Sequence, residues 1–260
     1  MNQTALITGA SSGIGLELAR LFARSKHHVI LVARSVGKLE ALAEELRAEG
    51  VRCDLLPKDL QLDQSPTDIY EWCRQQNIQV DYLVNNAGLG DFGLFHESDW
   101  SSQKAMIQVN MNALTHLTHL FLPDMVKRGS GKVLNIASTA AFQPGPYMGV
   151  YFATKAYVLH FSEAIANELK GTGVTVTAHC PSATESGFFN VAGMENSGLV
   201  KGRKLPGSAE VAKDAFAAMM KGSTVRIPGF LNHLLALSPR FSPRNMTTAV
   251  TRMMVKGSSR

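Results

Sequence analysis

Cysteine is scarce: Cys53, Cys73 and Cys180 are the only three in 260 residues. They are too few and too scattered for a disulfide framework or a zinc site, which points to reduced thiols. His116 and His119 stand three apart with no acidic or cysteine partner nearby, so they read as packing or surface residues and no metal is expected. No apolar run approaches the ~18–20 residues that a membrane-spanning helix needs. The amino terminus enters an apolar strand with no basic stretch before it, so no signal peptide is expected and the expected location is cytoplasmic. Acidic residues are rare towards the end. From Lys201 onward there are eleven Lys or Arg against two acids, Glu210 and Asp214. Those basic residues are dispersed singly and no nucleic-acid motif accompanies them, so a nucleic-acid partner is not expected.

Internal repeats, low-complexity tracts and linkers are also lacking. With 45% hydrophobic and 18% charged residues, the chain has the composition of one packed domain covering residues 1–260. Apolar strand-like runs alternate with helical patterns: Thr4–Thr8, His28–Ala33, Val51–Pro57, Tyr82–Asn85, Lys132–Ala137, Val174–His179 and a last short run at Thr224–Ile227. This rhythm predicts an α/β fold built on a doubly wound parallel sheet. One long helix is expected over about Trp100 to Lys127, interrupted or kinked near Pro123. Asn110 and Asn112 lie inside it, where Asn competes for backbone bonds and can loosen a turn.

The first strand ends abruptly at Gly9-Ala-Ser-Ser-Gly13-Ile-Gly15, and a helical pattern follows. Strand, glycine turn and helix together form the context a dinucleotide site requires, with the pyrophosphate at the helix N-terminus. The second strand ends in Ala33-Arg34-Ser35, where a site for NAD places an acid against the ribose 2′-hydroxyl. A guanidinium there can bind a 2′-phosphate bidentately, which favours NADP. Asp59 follows the third strand and reads either as facing adenine or as a helix cap. Asn85-Asn86-Ala87-Gly88 opens at the carboxyl edge of the fourth strand, and Ser138 ends the fifth.

Thirteen residues after Ser138 comes Tyr151-Phe-Ala-Thr-Lys155. On a helix, residues four apart share one face with Cβ atoms about 5–6 Å apart. An ammonium beside a phenol favours the phenolate, so Lys155 is expected to draw the Tyr151 pKa down towards neutrality. Such a tyrosine can exchange a proton with a substrate oxygen.

Taken in order, Thr8-Gly-x3-Gly-x-Gly15, Asn85-Asn-Ala-Gly88, Asn110, Ser138 and Tyr151-x3-Lys155 resemble the motifs of the short-chain dehydrogenase/reductase family, over about residues 4–190. The resemblance implies a Rossmann fold and hydride transfer between NADP and a carbonyl or secondary alcohol, with a homodimer or homotetramer as the expected assembly. By position it makes Tyr151 the acid/base and gives Lys155 the nicotinamide ribose. It assigns Ser138 to the substrate oxygen and Asn110 to a water linked to Lys155. Gly9, Ser11, Ser12, Gly13, Ile14 and Gly15 would surround the diphosphate, with Arg34 at the 2′-phosphate. Asp59 and Leu60 would meet adenine, and Asn86, Ala87 and Gly88 would line the adjacent ribose. Pro181 and Ser186 would meet the carboxamide. The chain departs from the family's Pro-Gly-x3-Thr pattern in carrying Ser182 after Pro181, and Ser restricts the backbone more than Gly.

Residues from about 184 to 205 are expected to form a substrate lid, with Phe188, Phe189, Val191 and Met194 as apolar contacts. Ser208 is the expected N-cap of the next helix. The extension from about 228 to 260 carries apolar segments among Arg240, Arg244, Arg252 and Lys256. It reads as a peripheral membrane contact, a cap over a greasy pocket, or a surface packed on the domain or a partner subunit. The expected substrate is an apolar ketone, or an acyl or steroid-like compound. A catalytically silent nucleotide-binding sensor or scaffold of the same fold is the alternative reading.

Overall fold

A computed structural model describes residues 3–185, 187–193, 197–200, 202 and 204–256. Seven parallel strands form one sheet: β1 (Thr4–Thr8), β2 (His28–Ala33), β3 (Cys53–Pro57), β4 (Tyr82–Asn85), β5 (Gly131–Ile136), β6 (Val174–His179) and β7 (Val225–Arg226). Their order is β3-β2-β1-β4-β5-β6-β7. After β1 the chain winds outward through β2 and β3, then returns to lay β4 against the other side of β1, pairing Ala5 with both Val29 and Tyr82. The carboxyl ends of β1 and β4 therefore flank the point where the winding reverses, where open α/β sheets leave a crevice.

Helices cover both faces, which is why β1 and β2 read as unbroken apolar runs. Successive strand side chains point to opposite faces. Ile7 and Leu31 pack under α1 (Gly13–Arg24), α2 (Val36–Ala48) and a later helix (Ser208–Lys221), through Phe22, Leu39 and Met219. Leu6 and Ile30 pack on the opposite face against Ile69 of α3 (Ser65–Gln75) and against Leu117, Phe121 and Met125.

The long central helix yields where Asn110 and Asn112 were expected to loosen it, and not near Pro123. It runs as α4 (Trp100–Ile107), widens into a π-helical turn over Gln108–Ala113, and resumes as α5 (Leu114–Lys127). The interruption falls at Asn110, and Pro123 sits within α5 without breaking it. Asn110 is held by side-chain bonds to other elements, so tertiary contacts rather than the proline decide where the helix yields. Next come α6 (Gly149–Glu168), a single turn α7 (Phe188–Val191) and α8 (Ser208–Lys221). Gly207, and not Ser208, is the N-cap of α8: the Ser208 hydroxyl instead donates to the Glu185 carbonyl at 2.7 Å, tying the lid segment's start to the helix. The chain ends in α9 (Phe230–Leu237) and α10 (Arg244–Lys256).

Candidate active site

A cleft of about 560 Å³ opens along the carboxyl edge of the sheet and takes in both the glycine turn and the Tyr151–Lys155 segment. The β1–α1 turn needs its glycines at two positions with φ in the left-handed region, Gly9 at +66° and Gly13 at +57°. Ser11, Ser12 and Ile14 line the cleft beside them. Ser12 caps α1 without a side-chain hydrogen bond, and the first turn of α1 holds no acid. A helix start left with backbone donors and no carboxylate suits an anion such as a diphosphate.

Gly15 does a different job from the one expected. It lies outside the cleft, and a Cβ placed on it would overlap the Gly9 carbonyl oxygen and the Asn86 amide nitrogen. It permits close packing behind the turn. Asn86 lines the cleft, and its side chain also reaches the turn. Its amide donates to the carbonyls of Thr8 at 2.9 Å and Gly9 at 3.3 Å, bracing the turn from behind. Thr8, given no role from the sequence, completes this brace: its hydroxyl donates to Val84 and accepts from the amides of Asn86 and Ala87 at 3.0 and 3.1 Å. Only its place before Gly9 could have signalled it. Ala87 and Gly88 line the cleft.

At the far end of β2, Arg34 is exposed on the cleft rim, and Lys38 lines the same rim. Lys58 is engaged by Asp68 at 2.6 Å. Asp59 caps no helix: its carboxylate accepts from the Gln61 amide at 3.0 Å, while α3 begins at Ser65, whose hydroxyl donates to the Asp59 carbonyl. Asp59 and Leu60 both line the cleft.

At the other end, β5 delivers Ser138, whose hydroxyl accepts from the Ala140 amide at 3.1 Å. Tyr151 sits in the first turn of α6, within hydrogen-bond reach of Ser138. Lys155 is buried one turn on, and its Nζ donates to the Ile136 carbonyl at 2.7 Å. That nitrogen lies 5.8 Å from the centre of the Tyr151 ring. The expectation that Lys155 draws the phenol towards neutrality does not hold in this structure. Burial pushes the phenol up to about 12, opposed only by the Ser138 hydrogen bond. Burial likewise pushes the Lys155 ammonium down to about 8. Removal from water is the largest cause of both shifts, and the lysine is directed at a backbone carbonyl.

Asn110 bonds Leu89 and the Thr154 hydroxyl, and Thr154 in turn donates to the Tyr151 carbonyl at 2.8 Å. A Cβ on Gly88 would lie 3.5 Å from Asn110 Oδ1 and 3.6 Å from Lys155 Nζ, so these three residues converge. The Pro181 carbonyl accepts from Thr139 at 2.9 Å and the residue lines the cleft. Ser182 takes an ordinary φ; among the described residues only Lys26, Asn77 and Tyr147 are non-glycines with positive φ. The serine therefore sits there without left-handed strain. Ser186 and Met194 lie outside the described residues, as does the Val191 side chain.

Much of the remaining wall is apolar, through Met148, Phe152, Phe188, Phe189, Leu199 and Met254, and Gln143, Thr184 and Thr251 add polar groups to it. The Phe188 and Tyr151 rings lie 5.4 Å apart. Met148, Phe152 and Leu199 were not singled out in the sequence, where nothing distinguishes them from core residues, whereas Met254 belongs to the C-terminal segment for which a cap over a greasy pocket was one expectation. Among the described residues no group of His, Cys, Asp or Glu could hold a metal ion.

A doubly wound sheet with a glycine turn at its switch point and a Ser/Tyr/Lys set across the same cleft defines a dinucleotide-dependent oxidoreductase. The family model for short chain dehydrogenases matches residues 3–196. The chain belongs to the short-chain dehydrogenase/reductase family. It is 30% identical over 227 residues to the ketoacyl reductase HetN of a Nostoc species, covering 86% of this chain and 77% of that protein. It is similar to a short-chain dehydrogenase from Sphingobium yanoikuyae solved in complex with NADPH, with a TM-score of 0.83 and 34% identity over 92% of this chain and 93% of that one. A bulky-bulky ketone specific alcohol dehydrogenase from Comamonas testosteroni superposes with a TM-score of 0.78 and 30% identity, over 92% and 93% of the two chains. As a member of this family the protein is an oxidoreductase acting on CH–OH or C=O groups.

Proposed function

We propose that the protein is an NADP(H)-dependent reductase of bulky apolar ketones, or the dehydrogenase of the matching secondary alcohols. The observation that carries this reading is the Tyr151 phenol within reach of Ser138 beside an apolar stretch of the cleft wall, with Lys155 one helical turn away. Bound nicotinamide supplies or takes up the hydride at the carbonyl carbon. Tyr151 donates its proton to the carbonyl oxygen during reduction, and a phenol pushed up to about 12 is fully protonated for that task at neutral pH. Ser138 donates a hydrogen bond to the same oxygen as charge develops. Lys155 uses one of its three donors on Ile136, leaving two for the ribose hydroxyls. The uncapped, acid-free start of α1 receives the diphosphate, and Arg34 receives the 2′-phosphate. The wall from Met148 to Met254 excludes water and accepts the substrate's apolar groups. Assembly as a homodimer or homotetramer and a cytoplasmic location complete the reading.

The test is NADPH oxidation by the purified protein across ketones graded in size. Turnover that rises with apolar bulk and disappears in Tyr151→Phe, with NADPH still bound by fluorescence titration, supports the reading. NADPH binding without turnover of any ketone or alcohol would favour the silent nucleotide-binding alternative.

A further inference from the structure

The last two helices leave a large apolar surface exposed. Of fifteen exposed large hydrophobic side chains among the described residues, nine lie between Phe230 and Met254. Phe230 is 80%, Leu231 67%, Phe241 86% and Met253 69% exposed. On α9 the exposed Phe230, Leu231, Leu234 and Leu235 share one side of the helix, and Ala236 is buried. On α10 the exposed Met246, Val250, Met253 and Met254 recur at i, i+4, i+7 and i+8, which is a second continuous stripe. Thr251 and Val255 form a separate, buried side of α10, where the Val255 carbonyl accepts from the Gly198 amide at 3.1 Å. Met246, Val250 and Met253 of the stripe are thus additional to the side that packs on the domain, while Met254 sits where the stripe meets the cleft. Surfaces of this kind mark interaction sites.

Charge chooses the occupant. Arg240, Arg244, Arg252 and Lys256 are all exposed in the same stretch. No Asp or Glu follows Asp214 anywhere in the chain, and Asp214 is itself bonded to Arg226 and His179. Two-fold pairing of this surface with itself would bring like charges together with no carboxylate of the segment to offset them. Arg252 stacks over the Tyr147 ring, its guanidinium carbon 5.6 Å from the ring centre, but no carboxylate of the segment offsets any of the four cations, and apolar side chains flanked by such cations fit an anionic lipid surface. Among the described residues no helix is long and apolar enough to cross a membrane, so the contact lies along the surface. We propose that α9 and α10 form a peripheral binding surface for anionic lipid bilayers. Thr251, Met254 and Val255 of α10 also line the cleft, so lipid contact sets one wall of the substrate site beside the bilayer. This last point rests on the proposed ketone chemistry and narrows the substrate to lipophilic ketones or alcohols that partition into membranes.

The experiment is vesicle co-sedimentation of the full chain, saturated with NADPH, run beside size-exclusion chromatography. Binding is expected to vesicles of phosphatidylcholine mixed with phosphatidylglycerol, about tenfold tighter than to pure phosphatidylcholine, and to weaken with salt. Phe241→Ser and Arg240→Glu should each lose it with melting temperature and soluble-ketone turnover unchanged. Vesicle binding with no ketone turnover would leave the lipid surface standing and remove only the enzymatic reading. A folded protein that ignores both vesicle types overturns the proposal. So does a Phe230→Ser or Phe241→Ser variant whose mass in solution halves while neither it nor the wild type binds lipid, which would assign the surface to a second copy.

Discussion

Asn110 grips Leu89 by both of that residue's backbone polar groups, accepting from its amide at 2.8 Å and donating to its carbonyl at 2.9 Å. Asn110 is almost fully buried, and Leu89 lines the cleft just past Gly88. The widened helical turn therefore fixes the loop that leaves β4 at the middle of the site. Asn110→Leu strips Leu89 of both partners without opening a path for water. Each unsatisfied buried group costs about 1–3 kcal/mol, so a loss of roughly 3 kcal/mol or more is expected in urea unfolding. Turnover should fall further than the stability loss explains, because Thr154 and the first turn of α6 lose their tie to the loop.

Two glycines that both lie in helices should respond with opposite signs to alanine. Intrinsic propensity favours Ala over Gly by about 1 kcal/mol in a helix interior. At Gly37 nothing stands within 4 Å of an added Cβ, so Gly37→Ala should stabilise by a few tenths to 1 kcal/mol. At Gly15 the added carbon would overlap the Gly9 carbonyl and the Asn86 amide, so sterics outweigh propensity. Gly15→Ala should lower the melting temperature and weaken NADPH binding together, since the displaced groups brace the turn. An Asn86→Ala exchange in the Gly15→Ala background should recover part of the stability.

Arg34 separates the two cofactors. It is exposed at the end of β2 with no acid at the neighbouring Ala33 or Ser35, and Lys38 shares the rim. A charged hydrogen bond contributes about 1.5–3 kcal/mol, so Arg34→Ala should weaken NADPH roughly 10- to 100-fold. NADH, lacking the 2′-phosphate, should change by less than about threefold. Equal loss for both cofactors would show that Arg34 does not meet the 2′-phosphate.

The parts readable from sequence are those governed by local pattern. Thr4–Thr8 and His28–Ala33 are apolar throughout because both faces of the sheet are covered, and Gly9 and Gly13 mark φ values that only glycine takes easily. Tyr151 and Lys155 lie one turn apart on one helix as their spacing implies, and Ser138, joined to them only by the family resemblance, lines the same cleft. What could not be read depends on partners distant in the chain. Asn110 could be read as a place where the helix loosens, but that it yields there and tolerates Pro123 depends on Leu89 and Thr154, which hold Asn110. Gly15 packs behind the turn, and Asn86, which also lines the cleft, braces it because Thr8 and Gly9 present carbonyls to its amide. Ser208 is the first residue inside α8 and not its cap, and its hydroxyl bonds the Glu185 carbonyl across the lid. The strength of Tyr151 as an acid is set by burial, which no four-residue spacing can express.

Burial of Lys155 should be visible as a pH dependence of stability. Folding lowers the ammonium pKa from its ordinary 10.5 to about 8, so between these values the unfolded chain binds more protons than the folded one. Stability contributed by this site therefore rises with pH across about 8 to 10.5, and the full cost of the buried charge is carried below 8. The maximum slope for one such group is about 1.4 kcal/mol per pH unit. Tyr151 acts in a higher window: its folded pKa is raised from 10 to about 12, so the stability it contributes is complete below 10 and lost only above it. Between pH 8 and 10 the lysine dominates. Wild-type protein should gain stability there relative to Lys155→Met, measured by urea unfolding at each pH, since the variant lacks the titrating group and leaves the Ile136 carbonyl unpaired at every pH alike. A difference that stays flat across this range would mean that Lys155 keeps its proton in the folded protein, held by more than the single bond to Ile136.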